Sequence, residues 1–303
     1  MKILVATQKP FAADAVKGIL NAAEGHEVVL LEGYSEKSQL LDAVKDVDAV
    51  IVRSDVLDAE VFAAAPNLKI AVRAGAGYDN VDLAAASAAG VVVENTPGQN
   101  ANAVAELVFG LLLFAKRKFF SGKSGSELKG RRLGLLAFGN VGRNVARIAA
   151  GFGMEVSAYD AYCPASAIEA AGVHAAASAE ELFRTCDVVS LHIPATPETA
   201  GSIGLDYVQM MPKGAVLVNT ARKEIIDEPG LLEALRSRQD ITYLTDIMPA
   251  ADAEFREVAD GRYFSTPKKM GAQTAEANAN AGIAAARQIC AFFESGDVRF
   301  KVN

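Results

Sequence analysis

The decapeptide LGLLAFGNVG, at residues 133–142, decides the fold class that we predict for this chain. Its first half is a short apolar run typical of a buried parallel strand, and an amphipathic helical period follows directly, at Val141, Val145, Ile148 and Phe152. A strand, a tight glycine turn and a helix in this order form a dinucleotide-binding unit, in which the helix N-terminus faces a pyrophosphate. The alternative is an α/β protein that merely has glycines in this turn.

The residues of this turn have separate predicted tasks. Gly139 lets the backbone approach a pyrophosphate, and Gly142 permits close packing of the helix on the strand. Ala137 stands where the motif has its first glycine; because a Cβ atom disfavours positive φ, we expect a negative φ there or a slightly different turn. Asp160 ends the next apolar run, where a carboxylate binds ribose hydroxyls and repels the extra phosphate of NADP. The sequence therefore predicts NAD as the cofactor.

Short apolar runs alternate with amphipathic stretches along the chain, which is the pattern of parallel sheets covered by helices. We predict an α/β fold of two doubly wound, Rossmann-like parallel-sheet domains with a cleft between them. A flavodoxin-like substrate-binding domain comprises residues 1–97 plus 270–303, and an NAD-binding Rossmann domain comprises residues 98–269. Asp58 and Asp82 are predicted helix N-caps. The predicted strands lie at 3–6, 28–31, 49–52, 70–72 and 91–93, then at 133–137, 156–159, 188–192, 215–218 and 243–246, with long helices at 102–115 and 273–293.

The composition excludes several functional classes. A net charge of -7 argues against nucleic acid or an anionic membrane as the main partner, because both require a cationic surface. The amino-terminal sequence lacks the apolar core of a signal peptide, and no apolar run is long enough to span a bilayer. Cys163, Cys186 and Cys290 lack metal-ligand spacing, so we expect no metal site and a cytoplasmic location.

Further motifs occur along nearly the whole chain, and together they are specific although no single one is. The motifs are VRS (52–54), RAGAGYDNVD (73–82), NTPGQN (95–100), AVAE (103–106), SLHIP (190–194), VNTAR (218–222), Asp246 and GAQT (271–274). With these motifs the sequence resembles the D-isomer-specific 2-hydroxyacid dehydrogenases, and within that family the D-3-phosphoglycerate dehydrogenases most.

The resemblance implies roles for individual residues. Arg222 is the arginine that holds the substrate carboxylate and polarises the 2-oxo group, a role that suits its planar, charged fork. Arg53 and Arg73 are candidates for the phosphate end of the substrate, and the backbone turn at Gly75 and Ala76 is a candidate for its carboxylate. Asp246 would accept a hydrogen bond from the nicotinamide carboxamide. The full set of predicted cofactor-binding residues is Ala76, Gly139, Asn140, Val141, Gly142, Asp160, Ile193, Thr220, Ala221, Arg222, Asp246 and Gly271.

The chain departs from the family at the proton-transfer position. The family has a histidine just after a Thr-Pro pair, whereas this sequence reads TPKKMGA at residues 266–272. The position of the family's histidine corresponds to Lys268 when it is counted forward from Pro267, and to Lys269 when it is counted back from Gly271. Both lysines stay open as the proton-transfer residue, and we favour Lys269. A lysine, with an ordinary pKa of about 10.4, acts as a base only where burial or nearby cations lower that pKa. The glutamate that orients the family's histidine corresponds to Ala251 in this sequence. His192, which lies elsewhere in the chain, is expected to be structural.

A subgroup of short phosphoglycerate dehydrogenases has lysine at this position, and the chain resembles that subgroup. The resemblance implies oxidation of 3-phospho-D-glycerate to 3-phosphohydroxypyruvate with NAD, a reaction of serine biosynthesis. The alternatives are a glyoxylate or hydroxypyruvate reductase and a non-catalytic NAD-sensing protein. The segment at residues 117–127 corresponds to the arm through which the family dimerises, but it is shorter and lacks the arm's tryptophan. We still expect a homodimer, formed through the long helix. We expect no feedback control by serine, since no regulatory domain follows Asn303.

Overall fold

The computed structural model describes residues 1–303 and divides them into two compact units. The first unit consists of residues 1–100 and 273–303, and the second unit consists of residues 101–272. Each unit is built on one parallel sheet, so the predicted fold class of two parallel-sheet α/β units is confirmed. No helix combines the length and the apolar character that crossing a membrane requires.

The elements of the first unit alternate in the way that the apolar runs predict. Its strands are β1 (Lys2–Thr7), β2 (Glu27–Glu32), β3 (Ala49–Val52), β4 (Ile70–Arg73) and β5 (Val92–Asn95). Its helices are α1 (Ala13–Ala22), α2 (Lys37–Ala43), α3 (Ala59–Ala64), α4 (Leu83–Ala88) and α12 (Ala275–Ser295). The side chains of Asp58 and Asp82 accept from the first turns of α3 and α4, so both predicted N-caps are confirmed.

The sheet of the first unit has the order β2-β1-β3-β4-β5, and every pair is parallel. This is the doubly wound, flavodoxin-like order, in which the central strands have helices on both faces. All four residues of β3 are buried for that reason. At the open edge, the N–H of Val302 donates to the carbonyl of Val93 at 2.9 Å, so the end of the chain covers β5.

Helix α12 packs on α1 through two glycines. A Cβ atom on Gly18 would lie 2.5 Å from Cδ1 of Ile283, and one on Gly282 would lie 2.7 Å from Cδ1 of Ile19. Because neither position has a side chain, the two helix backbones approach closely and bury a shared apolar layer. The last helix of the chain thereby belongs to the first unit.

The second unit contains the elements between residues 101 and 272. Its strands are β6 (Arg132–Leu136), β7 (Glu155–Tyr159), β8 (His174–Ala175), β9 (Val188–Leu191), β10 (Val216–Asn219), β11 (Thr242–Thr245) and β12 (Tyr263–Ser265). Its helices are α5 (Ala101–Lys116), α6 (Asn140–Gly151), α7 (Ala165–Glu169), α8 (Ala179–Thr185), α9 (Leu205–Met210), α10 (Glu228–Ser237) and α11 (Asp252–Val258).

The sheet of the second unit has the order β12-β11-β10-β9-β6-β7-β8 and is parallel throughout. Strand β6 pairs with β7 on one side and β9 on the other. The decapeptide at residues 133–142 therefore begins in a central strand of the sheet. The prediction of five strands here is wrong at both edges, where β8 and β12 were missed. They have two and three residues, too few for an apolar run to be told from a loop.

Parallel pairing brings the carboxyl ends of all strands in a unit to one edge of its sheet. In the first unit this edge carries Arg53, which follows β3, and Arg73, which ends β4. In the second unit it carries the residues after β6, β7, β9, β10, β11 and β12, and most predicted site residues lie there. Ligands of doubly wound sheets bind outside such an edge.

Candidate functional site

The turn after β6 has the close backbone approach that a dinucleotide site needs. A Cβ atom on Gly142 would lie 2.4 Å from the carbonyl oxygen of Ala137, so no other residue fits there without moving the backbone. Around Gly139, the residue before α6, no atom lies within 4 Å of a Cβ position. The helix N-terminus behind this open space presents N–H groups, which is the usual setting for a pyrophosphate.

Ala137 adopts a φ of +83°, so of the two expectations for this position, a negative φ or a slightly different turn, the negative φ is wrong. The N–H of Ala137 donates to the carbonyl of Tyr159 at 2.8 Å, which ties the turn to the end of β7. The chain therefore keeps the backbone that a glycine would adopt, although a side chain makes it unfavourable by about 1–2 kcal/mol. Tertiary hydrogen bonding outweighs the local preference of alanine here.

Asp160 is organised by backbone N–H groups at the end of β7. Its Oδ2 accepts from the N–H of Phe138 at 2.8 Å, and its Oδ1 accepts from those of Tyr162 and Cys163 at 2.8 and 2.9 Å. Burial alone would raise the pKa of Asp160, but these three donors and the Arg143 cation hold it below its ordinary value. A fixed negative charge thus stands beside the glycine turn.

Two unpartnered polar atoms lie near the same edge and fit a polar ligand. The hydroxyl of Thr220, just after β10, is buried and has no hydrogen-bond partner, and Nε2 of His192, just after β9, is in the same condition. Burial lowers the pKa of His192 to about 4, so its ring is neutral at pH 7. Buried polar atoms normally have partners. With the glycine cradle, these atoms show that the residues present fit a dinucleotide.

Arg222 follows β10, where a buried asparagine shapes the backbone. Asn219 donates from Nδ2 to the carbonyl of Arg222 at 2.8 Å and accepts from the N–H of Ala221 at 3.0 Å. The guanidinium of Arg222 donates to the carbonyl of Ala221 at 2.9 Å and forms no ion pair. Its charge is available to an external carboxylate.

Asp246 anchors the segment that carries the two lysines. Its fully buried carboxylate accepts from the backbone N–H groups of Met270 and Gly271, each at 2.8 Å, and from the hydroxyl of Thr266 at 3.1 Å. The same hydroxyl contacts the carbonyl of Lys268 at 2.8 Å. Both ends of the lysine segment are therefore fixed to one carboxylate. The role of Thr266 was missed, because it depends on tertiary contacts.

Lys268 and Lys269 are both exposed, whereas the acting lysine was expected to be buried. At the position predicted for a glutamate partner, the N–H of Ala251 donates to Glu228 Oε2 at 2.8 Å. Asp252, the nearest carboxylate in sequence, accepts from Arg256 at 2.8 Å and from the hydroxyl of Tyr263 at 2.7 Å. The carboxylates around this position are thus engaged with other donors.

In the first unit, the guanidinium of Arg53 is held in place by several contacts. It donates to the carbonyl of Lys9 at 2.9 Å and to Asn278 at 2.6 Å, and it lies 4.9 Å from the ring centre of Phe11. The loop that carries it is fixed by the buried carboxylate of Asp55, which accepts from the N–H of Arg53 at 3.2 Å.

Arg73 lies close enough to Arg53 for their charges to interact. Burial lowers the pKa of Arg73, and the Arg53 cation lowers it further. Its Nε is buried without a partner, and neither arginine forms an ion pair. A Cβ atom on Gly75 would lie 1.5 Å from Nη1 of Arg73, and the φ of +151° at this position also favours glycine. The carbonyl of Ala76 accepts from Asn95 at 2.6 Å. Two neighbouring cations that form no ion pair suit an anionic ligand.

The remaining predicted residues have less specific settings. Ile193 packs against the core below the sheet of the second unit. Asn140 and Val141 form the first turn of α6. The structure has no cluster of residues that could hold a metal ion.

Comparison with known proteins gives consistent matches. The family model of the NAD binding domain of D-isomer specific 2-hydroxyacid dehydrogenases matches residues 114–264. The D-3-phosphoglycerate dehydrogenase of Methanocaldococcus jannaschii is 36% identical over 306 residues, which cover 95% of this chain and 57% of that protein. The hydroxypyruvate reductase of Thermotoga maritima is 34% identical over 90% of this chain and 93% of that protein. The chain spans little more than half the length of the curated phosphoglycerate dehydrogenases from Methanocaldococcus jannaschii and Mycobacterium leprae.

A solved structure matches along the whole chain. The NAD+-bound 3-phosphoglycerate dehydrogenase of Entamoeba histolytica is 48% identical, with a TM-score of 0.85, and the match covers 100% of this chain and 98% of that one.

Replacing Ala137 by glycine should raise the free energy of unfolding by about 0.5–1 kcal/mol, because relief of the positive φ outweighs the larger chain entropy of unfolded glycine. Urea denaturation of the variant and the parent measures this difference. The control is Ala150→Gly at an exposed position of α6, which should lose about 1 kcal/mol. A loss of stability at position 137 equal to that of the control would contradict the strain assigned to this turn.

Proposed function

Because the chain belongs to the D-isomer specific 2-hydroxyacid dehydrogenases, we propose that it oxidises 3-phospho-D-glycerate to 3-phosphohydroxypyruvate with NAD. In this proposal the enzyme acts in serine biosynthesis. The observation that carries the phosphorylated substrate is the pair Arg53 and Arg73, two adjacent cations of which neither forms an ion pair. An unphosphorylated hydroxy acid would leave this positive charge unused.

The cofactor would be held by the glycine turn and the strand ends of the second unit. Gly139, Asn140, Val141 and Gly142 would bind its pyrophosphate at the start of α6, and Asp160 would accept from its ribose hydroxyls. The remaining predicted contacts are Ala76, Ile193, Thr220, Ala221, Arg222, Asp246 and Gly271. When bound, NAD+ supplies the acceptor for the hydride that leaves C2 of the substrate.

The substrate would be gripped at both of its charged ends. Arg222 would hold the carboxylate and stabilise negative charge on the 2-oxygen, since a fixed cation lowers the energy of a developing alkoxide. The backbone turn at Gly75 and Ala76 would donate to the same carboxylate. Arg53 and Arg73 would bind the phosphate, for which the arginine fork is well suited.

The proton of the 2-hydroxyl would pass to the neutral amine of Lys269, with Lys268 as the open alternative. The support is the anchoring of this segment by Asp246, which fixes the backbone on both sides of the lysine pair. Alanine at position 251, where the family has a glutamate, also favours a lysine base, because a glutamate partner would raise the pKa of the ammonium.

Lys269→Ala should lower kcat by about 10²- to 10⁴-fold, the usual effect of removing a general base, while the affinity for NAD+ stays unchanged. Lys268→Ala is the matched control and should alter kcat by less than about threefold if Lys269 alone accepts the proton. Steady-state kinetics and calorimetric titration with NAD+ measure the two quantities. The reverse pattern would assign the proton to Lys268, and undiminished turnover in both variants would end the proposal of a lysine base.

The nearest alternative in the same family is a hydroxypyruvate or glyoxylate reductase, which the whole-length similarity to the Thermotoga maritima protein favours. Initial rates with NADH and 3-phosphohydroxypyruvate, hydroxypyruvate or glyoxylate separate the alternatives. We expect the phosphorylated acid to have the largest kcat/KM. Arg73→Gln should raise its KM by about 10- to 100-fold and leave hydroxypyruvate nearly unaffected. A preference for hydroxypyruvate would identify a reductase, and NAD+ binding without any turnover would identify a sensing protein.

We also propose a homodimer that forms through helix α5, in the cytoplasm. Gly110 is exposed in the middle of that helix with no atom within 4 Å of a Cβ position, although an exposed helical glycine costs about 1 kcal/mol relative to alanine. Close approach of a second helix would explain it. Three free cysteine thiols support a reducing compartment, which cell fractionation would test.

Gly110→Arg should convert the dimer to a monomer in size-exclusion chromatography with light scattering, because the long charged side chain would separate the two helices. Gly151→Arg is the matched control, since Gly151 is exposed on α6 and has equally open surroundings. A monomeric parent chain, or an unchanged mass for Gly110→Arg, would count against this interface.

A further inference from the structure

The guanidinium of Arg53 donates hydrogen bonds to three oxygens, and none of the three belongs to a charged group. They are the carbonyl oxygens of Lys9 and Pro10, at 2.9 and 3.3 Å, and Oδ1 of Asn278, at 2.6 Å. An arginine side chain has about five N–H donors, so some of those on Arg53 remain for a ligand. The side chain is thus held in one position while its charge stays available.

The carboxylate of Asp55 lies near Arg53 but forms no ion pair with the guanidinium. Its oxygens accept from the backbone N–H groups of Gln8 and Arg53, at 2.8 and 3.2 Å, and from the hydroxyl of Tyr34 at 2.8 Å. Burial lowers the pKa of Arg53, and the charge of Asp55 raises it. Asp55 therefore orders the loop that carries Arg53, whereas the contact from Asn278 orders the guanidinium itself.

The side-chain amide of Asn278 is oriented by the start of α12. Its Nδ2 donates to the carbonyl oxygen of Thr274, one helical turn earlier, at 2.8 Å. Thr274 is the N-cap of α12, and its hydroxyl oxygen accepts from the N–H of Ala277 at 3.1 Å. Because the amide nitrogen is committed to the helix, the amide oxygen faces Arg53. The rotated amide would place its N–H groups against a cation.

Helix α12 packs on the two strands whose ends carry the arginines. Ala281 and Ala285, which follow Asn278 on this helix, belong to the same buried apolar cluster as Ile51 of β3 and Val72 of β4. Glycine contacts hold the same helix on α1. Asn278 is therefore carried by a packed helix rather than by a loop, and a binding group is positioned most precisely from such an element.

A neutral acceptor next to Arg53 preserves the attraction of this site for a phosphate. Aspartate has nearly the same shape as asparagine and would accept the same hydrogen bond more strongly. Its negative charge, however, would offset the guanidinium charge and repel a phosphate. Asn278 holds the arginine without either effect. Arg73, whose pKa the Arg53 cation lowers, adds a second positive charge beside the first.

We propose that Asn278 is a positioning residue that determines specificity for the phosphorylated substrate. It holds the guanidinium of Arg53 toward the phosphate and leaves the charge of that guanidinium uncompensated. This inference rests on the proposed function, in which Arg53 and Arg73 bind the phosphate end of the substrate. It adds to that site a residue of α12, far away in the sequence.

The test compares Asn278→Ala and Asn278→Asp with the parent chain in the reduction of 3-phosphohydroxypyruvate and of hydroxypyruvate by NADH. The measured quantity is the ratio of kcat/KM for the phosphorylated acid to that for hydroxypyruvate. Asn278→Ala should lower this ratio by about 5- to 10-fold, because the guanidinium loses an acceptor that holds it. Asn278→Asp should lower it by about 20-fold or more, because the arginine stays in place but its charge is offset. In both variants the loss should appear in the KM of the phosphorylated acid rather than in kcat.

Asn280→Asp is the matched control, because Asn280 is exposed on the same helix, and its ratio should lie within about twofold of that of the parent. Arg53→Gln should lower the ratio by itself. Adding Asn278→Ala to Arg53→Gln should lower it by less than about twofold more, because Asn278 acts through Arg53. Thermal melting establishes that each variant keeps its fold.

The proposal is overturned if Asn278→Asp retains the ratio of the parent or has a higher ratio than Asn278→Ala, since the residue would then only tie α12 to the loop. It is also overturned if the double variant has a much lower ratio than Arg53→Gln alone. Both results leave the proposed function intact as long as the parent chain prefers the phosphorylated acid. A parent chain that prefers hydroxypyruvate would overturn the proposed function and this inference together.

Discussion

The contact between Gly142 and the Ala137 carbonyl oxygen is the constraint on which the second unit depends. A Cβ atom at position 142 would lie only 2.4 Å from that oxygen, so the position requires glycine. With glycine there, α6 packs closely on the end of β6. Beside this contact Ala137 has a φ of +83°, and no neighbouring atom lies within 4 Å of a Cβ position on Gly139, the residue before α6. The chain thus tolerates local strain at the turn where we propose that the pyrophosphate binds.

Three aspartates at strand ends organise the loops around the predicted sites; Asp55 and Asp246 are buried, and Asp160 is half-buried. Asp160 binds three backbone N–H groups beside the glycine turn, and Asp246 binds the segment with the two lysines. In the first unit, Asp55 accepts from the N–H groups of Gln8 and Arg53. A buried carboxylate is stable only when donors surround it, so each loop has one favoured conformation. These aspartates place charged side chains on surfaces that are otherwise irregular.

The cations without partners divide into separate groups. Arg53 and Arg73 lie at the edge of the first sheet, and Arg222 lies at the corresponding edge of the second. In a chain with a net charge of -7, unpaired cations in defined positions are more informative than the total charge, because exposed charges elsewhere are screened by solvent and salt.

The sequence by itself determined the parallel-sheet architecture, the family and the strand ends at which Asp160, Arg222 and Asp246 lie. Apolar runs, glycine spacing and caps such as Asp58 are local signals, and they survive without knowledge of distant contacts. Only the tertiary structure decided the strands β8 and β12, the positive φ of Ala137 and the anchoring of the lysine segment on Asp246. Each of these depends on a hydrogen bond or a close approach between residues far apart in sequence, and no local pattern records such a partner.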